Sequence, residues 1–283
     1  QIVVIMVWTG IFGTSAYLGL KRGIKVLADL NLILMFFVMV FILMLGPTIY
    51  ILTITTNSLG LMLDNFFRIS FWTDPIDRAG FPEAWTIFYW AWWIAYAPMM
   101  GLFFGRISKG RTIKQVVVGI TGLGALGTFL FLSIAGAYVL YLEGNGILDA
   151  TTIMQQQGMA PLVAAVINEL PAPTFILTVV LVLSIVFYAT TFDSAAFILA
   201  SICTNDLPSD QEPAAWSRLA WALGLGVMAI GLMVAGGIET IKAMSVVSSL
   251  PIIPIVFMMC YTLYKWLHKD FPGLSVKVEH TLD

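Results

Sequence analysis

The chain has 283 residues, of which 59 % are apolar and 11 % are charged, whereas about 25 % of the residues of an ordinary soluble domain are charged. This balance predicts a membrane protein. The net charge of −2 does not favour nucleic acid as a partner. Cys203 and Cys260 lie at or inside apolar stretches without a CxxC or Cys/His spacing, so we expect two buried thiols rather than a disulfide framework or a zinc site.

Seven stretches are apolar over enough residues to cross the hydrocarbon core of a bilayer, which takes about 20 residues of helix. We therefore predict an all-α polytopic membrane protein. The predicted transmembrane helices lie near residues 2–20, 30–55, 86–104, 115–141, 174–202, 217–236 and 244–267. Two amphipathic segments are too short to cross the bilayer. Residues 58–69 should lie along the outer surface, and residues 151–170, which contain Pro161, should form a broken helical hairpin.

Basic residues indicate the orientation of the chain, because short cytoplasmic loops are rich in lysine and arginine. They follow the first, third and last predicted helices, which alternation places on one side: Lys21, Arg22, Lys25, Arg106, Lys109, Arg111, Lys114, Lys265 and Lys269. We therefore expect the N-terminus outside and the C-terminus in the cytoplasm. Gln1 is followed directly by an apolar run without a basic leader, so we also expect an odd number of helices upstream of it.

Residues 84–98 are unusually rich in aromatic side chains, with four tryptophans and two tyrosines within twelve positions. Such rings usually gather at the membrane interfaces, but here they continue inward. A quaternary ammonium group cannot form hydrogen bonds, so a site for it needs aromatic faces, each worth about 0.5–2 kcal/mol. The helical period brings several rings close to one line: Trp85, Phe88, Tyr89, Trp92 and Tyr96. The segment therefore favours a site for an organic cation.

Pro98 closes this aromatic segment. Because proline lacks an amide hydrogen and clashes with the carbonyl of Ile94, we expect the helix to break or unwind at this point. Discontinuous helices of this kind line transport sites in membrane proteins. The alternative interpretation is an interfacial aromatic belt followed by a proline that serves packing.

Polar residues interrupt two of the predicted helices. Thr190 and Thr191 offer hydroxyl oxygens as hard ligands for a small cation, although threonines in membrane helices usually bond back to their own helix. Asp193 is a carboxylate within an apolar stretch, which marks either an ion path or a buried partner on a neighbouring helix. Asn31, near the inner end of the second predicted helix, either faces the interior as a polar ligand or bridges two helices.

The sequence Trp-Thr-Ile-Phe-Tyr-Trp-Ala-Trp-Trp at residues 85–93 resembles the signature of the betaine/choline/carnitine transporter family. Gly23-Ile24-Lys25, Gly46-Pro47-Thr48, residues 105–111 and Asp193-Ser194 stand in that family's order. The resemblance implies the last seven of twelve helices, in the inverted five-helix repeat fold of leucine-type transporters. It divides the chain into four parts: residues 1–56 with the last two helices of the first repeat, 57–83 as an outer loop with an amphipathic surface helix, 84–268 as the second repeat of five helices, and 269–283 as a cytoplasmic tail.

The resemblance also implies roles for particular residues. Trp92, Trp93 and Tyr96 would form an aromatic box around a trimethylammonium group, and Trp85 would lie nearer the outer entrance. Tyr96 stands where betaine-specific members tend to carry tryptophan, which leaves the choice of substrate open.

An ion site is implied in the same way. The carbonyl of Phe187 and the hydroxyls of Thr190 and Thr191 match a sodium site of the sodium-coupled members. Asn31 stands where sodium-independent exchangers carry arginine, and it is a possible coupling residue together with Asp193.

The resemblance therefore implies a secondary active transporter in the bacterial inner (plasma) membrane, with sodium as coupling ion and without a cofactor. The expected activity is sodium-coupled symport of glycine betaine or a related quaternary-ammonium or sulfonium osmolyte by a homotrimer. The alternative is a sodium-independent exchanger of trimethylammonium compounds such as carnitine and γ-butyrobetaine.

We expect no enzymatic activity. An enzyme acting on choline-like head groups would need a nucleophile, a metal cluster or an acid/base pair. The two histidines, His268 and His280, lie at and beyond the inner end of the last predicted helix, and no pair of acidic residues occupies the centre of a predicted helix.

Overall fold

The computed structural model of the chain describes residues 2–19, 23–208, 211–235 and 238–272. Lys21, Arg22 and most of the predicted tail, residues 273–283, lie outside this range. The described helices are α1 (Ile2–Leu18), α2 (Lys25–Leu45), α3 (Thr48–Asp64), α4 (Phe66–Ser70), α5 (Phe88–Ile107), α6 (Ile113–Val118), α7 (Gly124–Gly144), α8 (Ala150–Gln157), α9 (Met159–Asn168), α10 (Pro173–Ile202), α11 (Ala215–Ala235) and α12 (Ile238–Asp270). Two π-helical segments, Pro82–Ile87 and Gly119–Leu123, lead directly into α5 and α7.

Within the described residues, six helical segments are long and apolar enough to cross a membrane: Lys25–Leu45, Pro82–Ile107, Ile113–Gly144, Pro173–Ile202, Ala215–Ala235 and Thr240–Asp270. The first predicted span is also an apolar helix, α1, which covers 17 residues and lies at the lower end of the range for a transmembrane helix. The described residues contain no β-strand. The prediction of an all-α polytopic membrane protein is therefore confirmed.

The single helix predicted near residues 30–55 is wrong, because the chain breaks between α2 and α3. Gly46 adopts an extended conformation after the last turn of α2, and Pro47 cannot donate a backbone hydrogen bond. The hydroxyl of Thr48 donates to the carbonyl of Leu43 at 2.5 Å, which satisfies an acceptor freed by the break. Helix α3 then continues to Asp64 and takes in most of the predicted surface helix at residues 58–69, whose remainder falls in α4.

The break predicted at Pro98 is also wrong, because α5 runs through this proline without interruption. One proline removes one hydrogen bond of a helix, and the turns on either side hold α5 together. The irregular backbone lies instead at the start of the aromatic segment, in the π-helical residues Pro82–Ile87.

The helical hairpin predicted at residues 151–170 is present as α8 and α9. The break lies at Gly158, whose φ of +88° suits a residue without a Cβ, and Pro161 is accommodated inside α9. The side chain of Asp149 caps α8 by accepting a hydrogen bond from the backbone amide of Thr152 at 2.9 Å. Hydrogen bonding to Thr152 holds the pKa of this carboxyl below its usual value.

The chain divides into two compact units, which are described separately. The first unit comprises Gln1–Phe71 and Arg106–Val227, and the second comprises Trp72–Gly105 and Met228–Asp283. In the first unit α10 is central, because it packs against α1, α2 and α9.

Small residues line the packing between α1, α10 and α11 in the first unit. The buried cluster there contains Phe12, Ala16, Ala189, Ala196 and Ala222. Gly226 of α11 faces the side chain of Thr9 on α1 so closely that a Cβ at position 226 would collide with it. These helices therefore approach each other closely only where the side chains are small.

Candidate functional site

The aromatic segment forms a continuous run of ring contacts in the second unit. Trp85 stacks on Tyr89, with ring centroids 6.0 Å apart and planes inclined by 17°. Phe88 stacks on Trp92 at 6.0 Å and 13°. Both pairs are four residues apart, which is the spacing that brings side chains together on a helix. Contacts of Tyr89 with Phe88 and with Trp92 join the two stacks, and a contact between Trp92 and Trp93 at 5.9 Å extends the run.

Several rings of this run present open faces. The exposed fractions of the Trp92 and Trp93 side chains are 45 % and 60 %, so each could cover one side of an organic cation. Tyr96 is half-buried and, among the described residues, makes none of these ring contacts. Trp85, Trp92 and Trp93 are thus joined in one run of ring contacts through Tyr89 and Phe88, whereas the roles of these rings and of Tyr96 in substrate binding stay predictions.

A positive charge already lies at this run of rings. The Nζ atom of Lys242, in the first turns of α12, is 5.9 Å from the centroid of the Phe88 ring, which is within the range of a cation–π interaction. The sequence analysis did not identify Lys242. The sequence signal that was available was a lysine close to the start of the last apolar stretch, at the end that the predicted orientation places outside, where the positive-inside rule does not predict basic residues.

The three predicted sodium ligands converge on one face of α10 in the first unit. The hydroxyl of Thr190 donates to the carbonyl oxygen of Phe187 at 2.7 Å, and the hydroxyl of Thr191 donates to the same oxygen at 3.4 Å. Both threonines thus bond back to their own helix, and in doing so they bring three oxygen atoms together. Hard cations such as calcium and magnesium take about six oxygen ligands, so these three atoms are part of a possible set.

Asp193 lies on the same helix and is fully buried. Its Oδ2 atom accepts a hydrogen bond of 2.5 Å from the hydroxyl of Ser15 on α1, and its Oδ1 atom accepts one of 3.3 Å from Ser194. A buried carboxylate must find such partners, because leaving it unpaired costs a large desolvation free energy. The sequence left two interpretations of Asp193, an ion path or a buried partner on a neighbouring helix. The structure shows a buried partner, Ser15 on α1.

Asn31 is half-buried on α2. Its side-chain oxygen Oδ1 is buried and has no hydrogen-bond partner among the described residues. Orphaned buried acceptors are uncommon and call for a ligand or water. This observation favours the interpretation of Asn31 as a polar ligand over that of a bridge between helices, although its role stays a prediction.

Two polar residues of α1 and α11 were missed by the sequence analysis. Ser15 was one small residue in an apolar stretch, and its partner lies 178 positions away, beyond any local pattern. Arg218 is buried; it forms an ion pair with Glu212 and donates to the carbonyl of Tyr17 at 2.9 Å. The sequence did contain a signal for Arg218, namely a lone arginine within an apolar segment. Such a residue should have a partner, because a buried charge without one is unfavourable.

The described residues contain no group of three or more His, Cys, Asp or Glu side chains that could hold a metal ion. Cys203 and Cys260 are free and exposed, so the expectation that both thiols are buried is wrong.

The fold and these features define an all-α polytopic membrane protein with an open run of aromatic rings on one membrane helix. The model of the betaine/carnitine/choline transporter family matches residues 1–272. The chain belongs to this family, as the resemblance of residues 85–93 predicted, and family membership supports the expectation of a transport protein rather than an enzyme.

Several curated relatives are similar over nearly the whole chain. A carnitine transporter of Acinetobacter baumannii is 32 % identical over 272 residues, which cover 96 % of this chain and 50 % of the relative. The glycine betaine transporter OpuD of Bacillus subtilis is 31 % identical, with coverage of 95 % and 52 %. The ectoine/glycine betaine/proline transporter EctP of Corynebacterium glutamicum is 31 % identical, with coverage of 95 % and 44 %. The chain thus spans about half the length of the curated relatives it matches.

Proposed function

We propose that this chain is part of a secondary active transporter that takes up glycine betaine or a related quaternary-ammonium or sulfonium osmolyte together with sodium. The observation that carries the proposal is the run of ring contacts from Trp85 to Trp93, with its open tryptophan faces. An organic cation without hydrogen-bonding groups is held by such faces. The names of the relatives from Bacillus subtilis and Corynebacterium glutamicum support the substrate class.

The convergence of oxygens on α10 supports sodium as the coupling ion. The Phe187 carbonyl and the hydroxyls of Thr190 and Thr191 would bind the ion, and further ligands would complete the set. The hydroxyl oxygens can coordinate a cation through their lone pairs while the O–H groups donate to the carbonyl. Asn31 would act as a neutral ligand, and Asp193, held by Ser15, would contribute negative charge near the ion.

We further infer that the protein is a homotrimer in the plasma membrane of a bacterium, with the C-terminus in the cytoplasm. Lys109 and Arg111 in the loop after α5, together with Lys114 in the first turn of α6, support this orientation. The bacterial sources of the similar transporters support the location.

Uptake into proteoliposomes tests the proposal in the full-length protein. With an inward sodium gradient we expect accumulation of radiolabelled glycine betaine. Replacement of Thr190 and Thr191 together by alanine removes two proposed ligands, so we expect sodium dependence to be lost. Thr178→Ala is the matched control, because Thr178 lies exposed on α10 and also donates to a carbonyl of its own helix, that of Thr174 at 2.8 Å. Uptake that is indifferent to sodium, or a double variant that keeps full sodium dependence, would contradict the coupling.

A second candidate function is sodium-independent exchange of trimethylammonium compounds, of the carnitine/γ-butyrobetaine type. The back-bonding of Thr190 and Thr191 to Phe187 favours it, because these hydroxyls already have partners without an ion. Counterflow of carnitine against γ-butyrobetaine in sodium-free buffer, without net uphill uptake, would establish exchange in place of symport.

A further inference from the structure

We propose that Asp74, in the loop that precedes the aromatic run, is a positioning residue that holds Trp85 against Tyr89. The proposal rests on the proposed function, in that it takes the aromatic run as the substrate site. It concerns a different question, namely what keeps the first ring of the run in place. Asp74, Trp85 and Tyr89 all belong to the second unit.

Asp74 closes the loop that leads into the aromatic helix. Its side chain is 5 % exposed, whereas residues 75–79 are exposed. Its Oδ2 atom accepts a hydrogen bond of 2.7 Å from the backbone amide of Ala79, and a buried carboxylate needs such a partner. The rings of Trp72 and Phe81, on either side of the loop, contact each other with centroids 6.0 Å apart. The loop is therefore closed by two contacts.

Two hydrogen bonds connect Asp74 to the start of the aromatic helix. The first is the bond from the amide of Ala79. The next residue is Gly80, whose φ of +81° suits a residue without a Cβ and whose carbonyl accepts a hydrogen bond of 3.0 Å from the amide of Ala84. Trp85 follows Ala84 directly. A displacement of Ala79 would therefore pass through one residue to the turn that carries Trp85.

The turn that carries Trp85 is irregular, because residues Pro82–Ile87 are π-helical. Such turns are rare and are frequently found at functional sites. One residue more or less in a turn corresponds to about 100° of helix rotation, so a change to α-helical bonding here would turn the Trp85 ring away from Tyr89. The two rings are stacked with planes inclined by 17°. The stack therefore needs a fixed backbone before it, and Asp74 fixes that backbone at Ala79.

The backbone conformation of Asp74 decides which substitutions test its role. Its φ is +48°, a left-handed conformation that glycine adopts freely and that asparagine adopts more readily than most residues. Asp74→Asn keeps an oxygen acceptor for the Ala79 amide. Asp74→Gly lacks the acceptor but suits the same conformation. The two variants therefore differ in the hydrogen bond rather than in backbone strain.

Equilibrium binding of radiolabelled glycine betaine to the full-length protein tests the role of Asp74. Trp85→Leu removes a ring face and should lower the affinity about 2- to 30-fold. Asp74→Gly should lower it about twofold or more, but by no more than Trp85→Leu does, because the ring is kept and only its orientation is lost. In a protein that already carries Trp85→Leu, Asp74→Gly should cause no further loss. Asp74→Asn should keep the affinity, and so should the matched control Asp77→Gly, since Asp77 lies exposed in the same loop.

The outcomes are distinguishable. An unchanged affinity in Asp74→Gly or in Trp85→Leu would overturn the positioning role of Asp74. An equal loss from Asp74→Gly with and without Trp85→Leu would also overturn it, because the effect would then not pass through Trp85. Complete loss of binding in Asp74→Gly would do the same, since Asp74 would then be required by the fold as a whole. If the unmodified protein did not bind glycine betaine, the proposed function itself would fail.

Discussion

Trp92 is one of the two residues with the most contacts in the aromatic run, because its ring contacts those of Phe88, Tyr89 and Trp93. The helical period in the sequence predicted the contacts with Phe88 and Tyr89, since neighbours three and four positions apart meet on any helix. The same argument placed Tyr96 on this line, but Tyr96 makes none of the ring contacts found among the described residues. Whether a ring one turn further along joins the others depends on its rotamer and on packing, which the period leaves open.

Replacing Trp92 by leucine should weaken the binding of glycine betaine by about 2- to 30-fold. The variant loses the negative ring face, worth about 0.5–2 kcal/mol for a desolvated cation, and also the stacking that orients Phe88. Equilibrium binding of radiolabelled glycine betaine to the full-length protein would measure the effect. Trp216→Leu is the control, because Trp216 is 73 % exposed on α11 and lies in the first unit. Equal affinities in the unmodified protein and in Trp92→Leu would rule out Trp92 as a contact of the ammonium group.

Helices as elements were predictable from apolar length, but their breaks were not. Gly46 and Pro47 end α2, whereas Pro98 is carried inside α5 and Pro251 and Pro254 are carried inside α12. A proline by itself removes one hydrogen bond. At Pro47 the preceding glycine leaves the helical conformation and the hydroxyl of Thr48 satisfies a freed carbonyl, so the break becomes stable. A side chain that satisfies a backbone carbonyl freed by a helix break is visible in the structure, but no simple sequence pattern predicts it.

The approach of α11 to α1 gives a prediction at the level of elements. A Cβ at Gly226 would collide with Thr9, whose hydroxyl is fixed by a 2.7 Å hydrogen bond to the carbonyl of Ile5. Gly226→Ala should therefore lower the free energy of unfolding by about 1–3 kcal/mol, the usual cost of overpacking. Thermal unfolding of the full-length protein in detergent, compared between variants, would show the loss as a lower midpoint.

Gly224 provides the control for this prediction. It lies on the same helix, but a Cβ there would have nothing within 4 Å. Gly224→Ala should be neutral or stabilise by up to about 1 kcal/mol through helix propensity. Thr9→Ala combined with Gly226→Ala should recover part of the loss. If both glycine variants unfolded at the same midpoint, the close approach would not contribute to stability.

At the scale of the whole molecule, the sequence identified the family and most of the candidate site residues, but it did not identify their partners. The signature at residues 85–93 and the hydroxyl pair on α10 are local patterns, and local patterns can be read from one chain. Ser15 beside Asp193 and Lys242 beside Phe88 are contacts between helices far apart in sequence. They depend on tertiary packing, which composition and periodicity do not specify.

Symport by the whole molecule can be tested through the reciprocal effects of sodium and glycine betaine on each other's binding affinity. The aromatic run belongs to the second unit and the proposed sodium ligands on α10 belong to the first, so each proposed site can be altered by substitutions outside the other. If sodium raises the affinity for glycine betaine by some factor, glycine betaine must raise the affinity for sodium by the same factor. A coupling free energy of about 1–3 kcal/mol, which is typical of linked sites, corresponds to a factor of about 5 to 150.

Titrations of the full-length protein with glycine betaine, in sodium chloride and in potassium chloride, would give one factor. Titrations with sodium at zero and at saturating glycine betaine would give the other, and we expect the two factors to agree. In the variant with alanine at positions 190 and 191 both factors should approach one, because the ion loses its proposed ligands, whereas Thr178→Ala should keep both. Glycine betaine affinities that are the same in sodium and potassium would leave the two sites uncoupled at equilibrium, and exchange without sodium would then describe the protein better than symport.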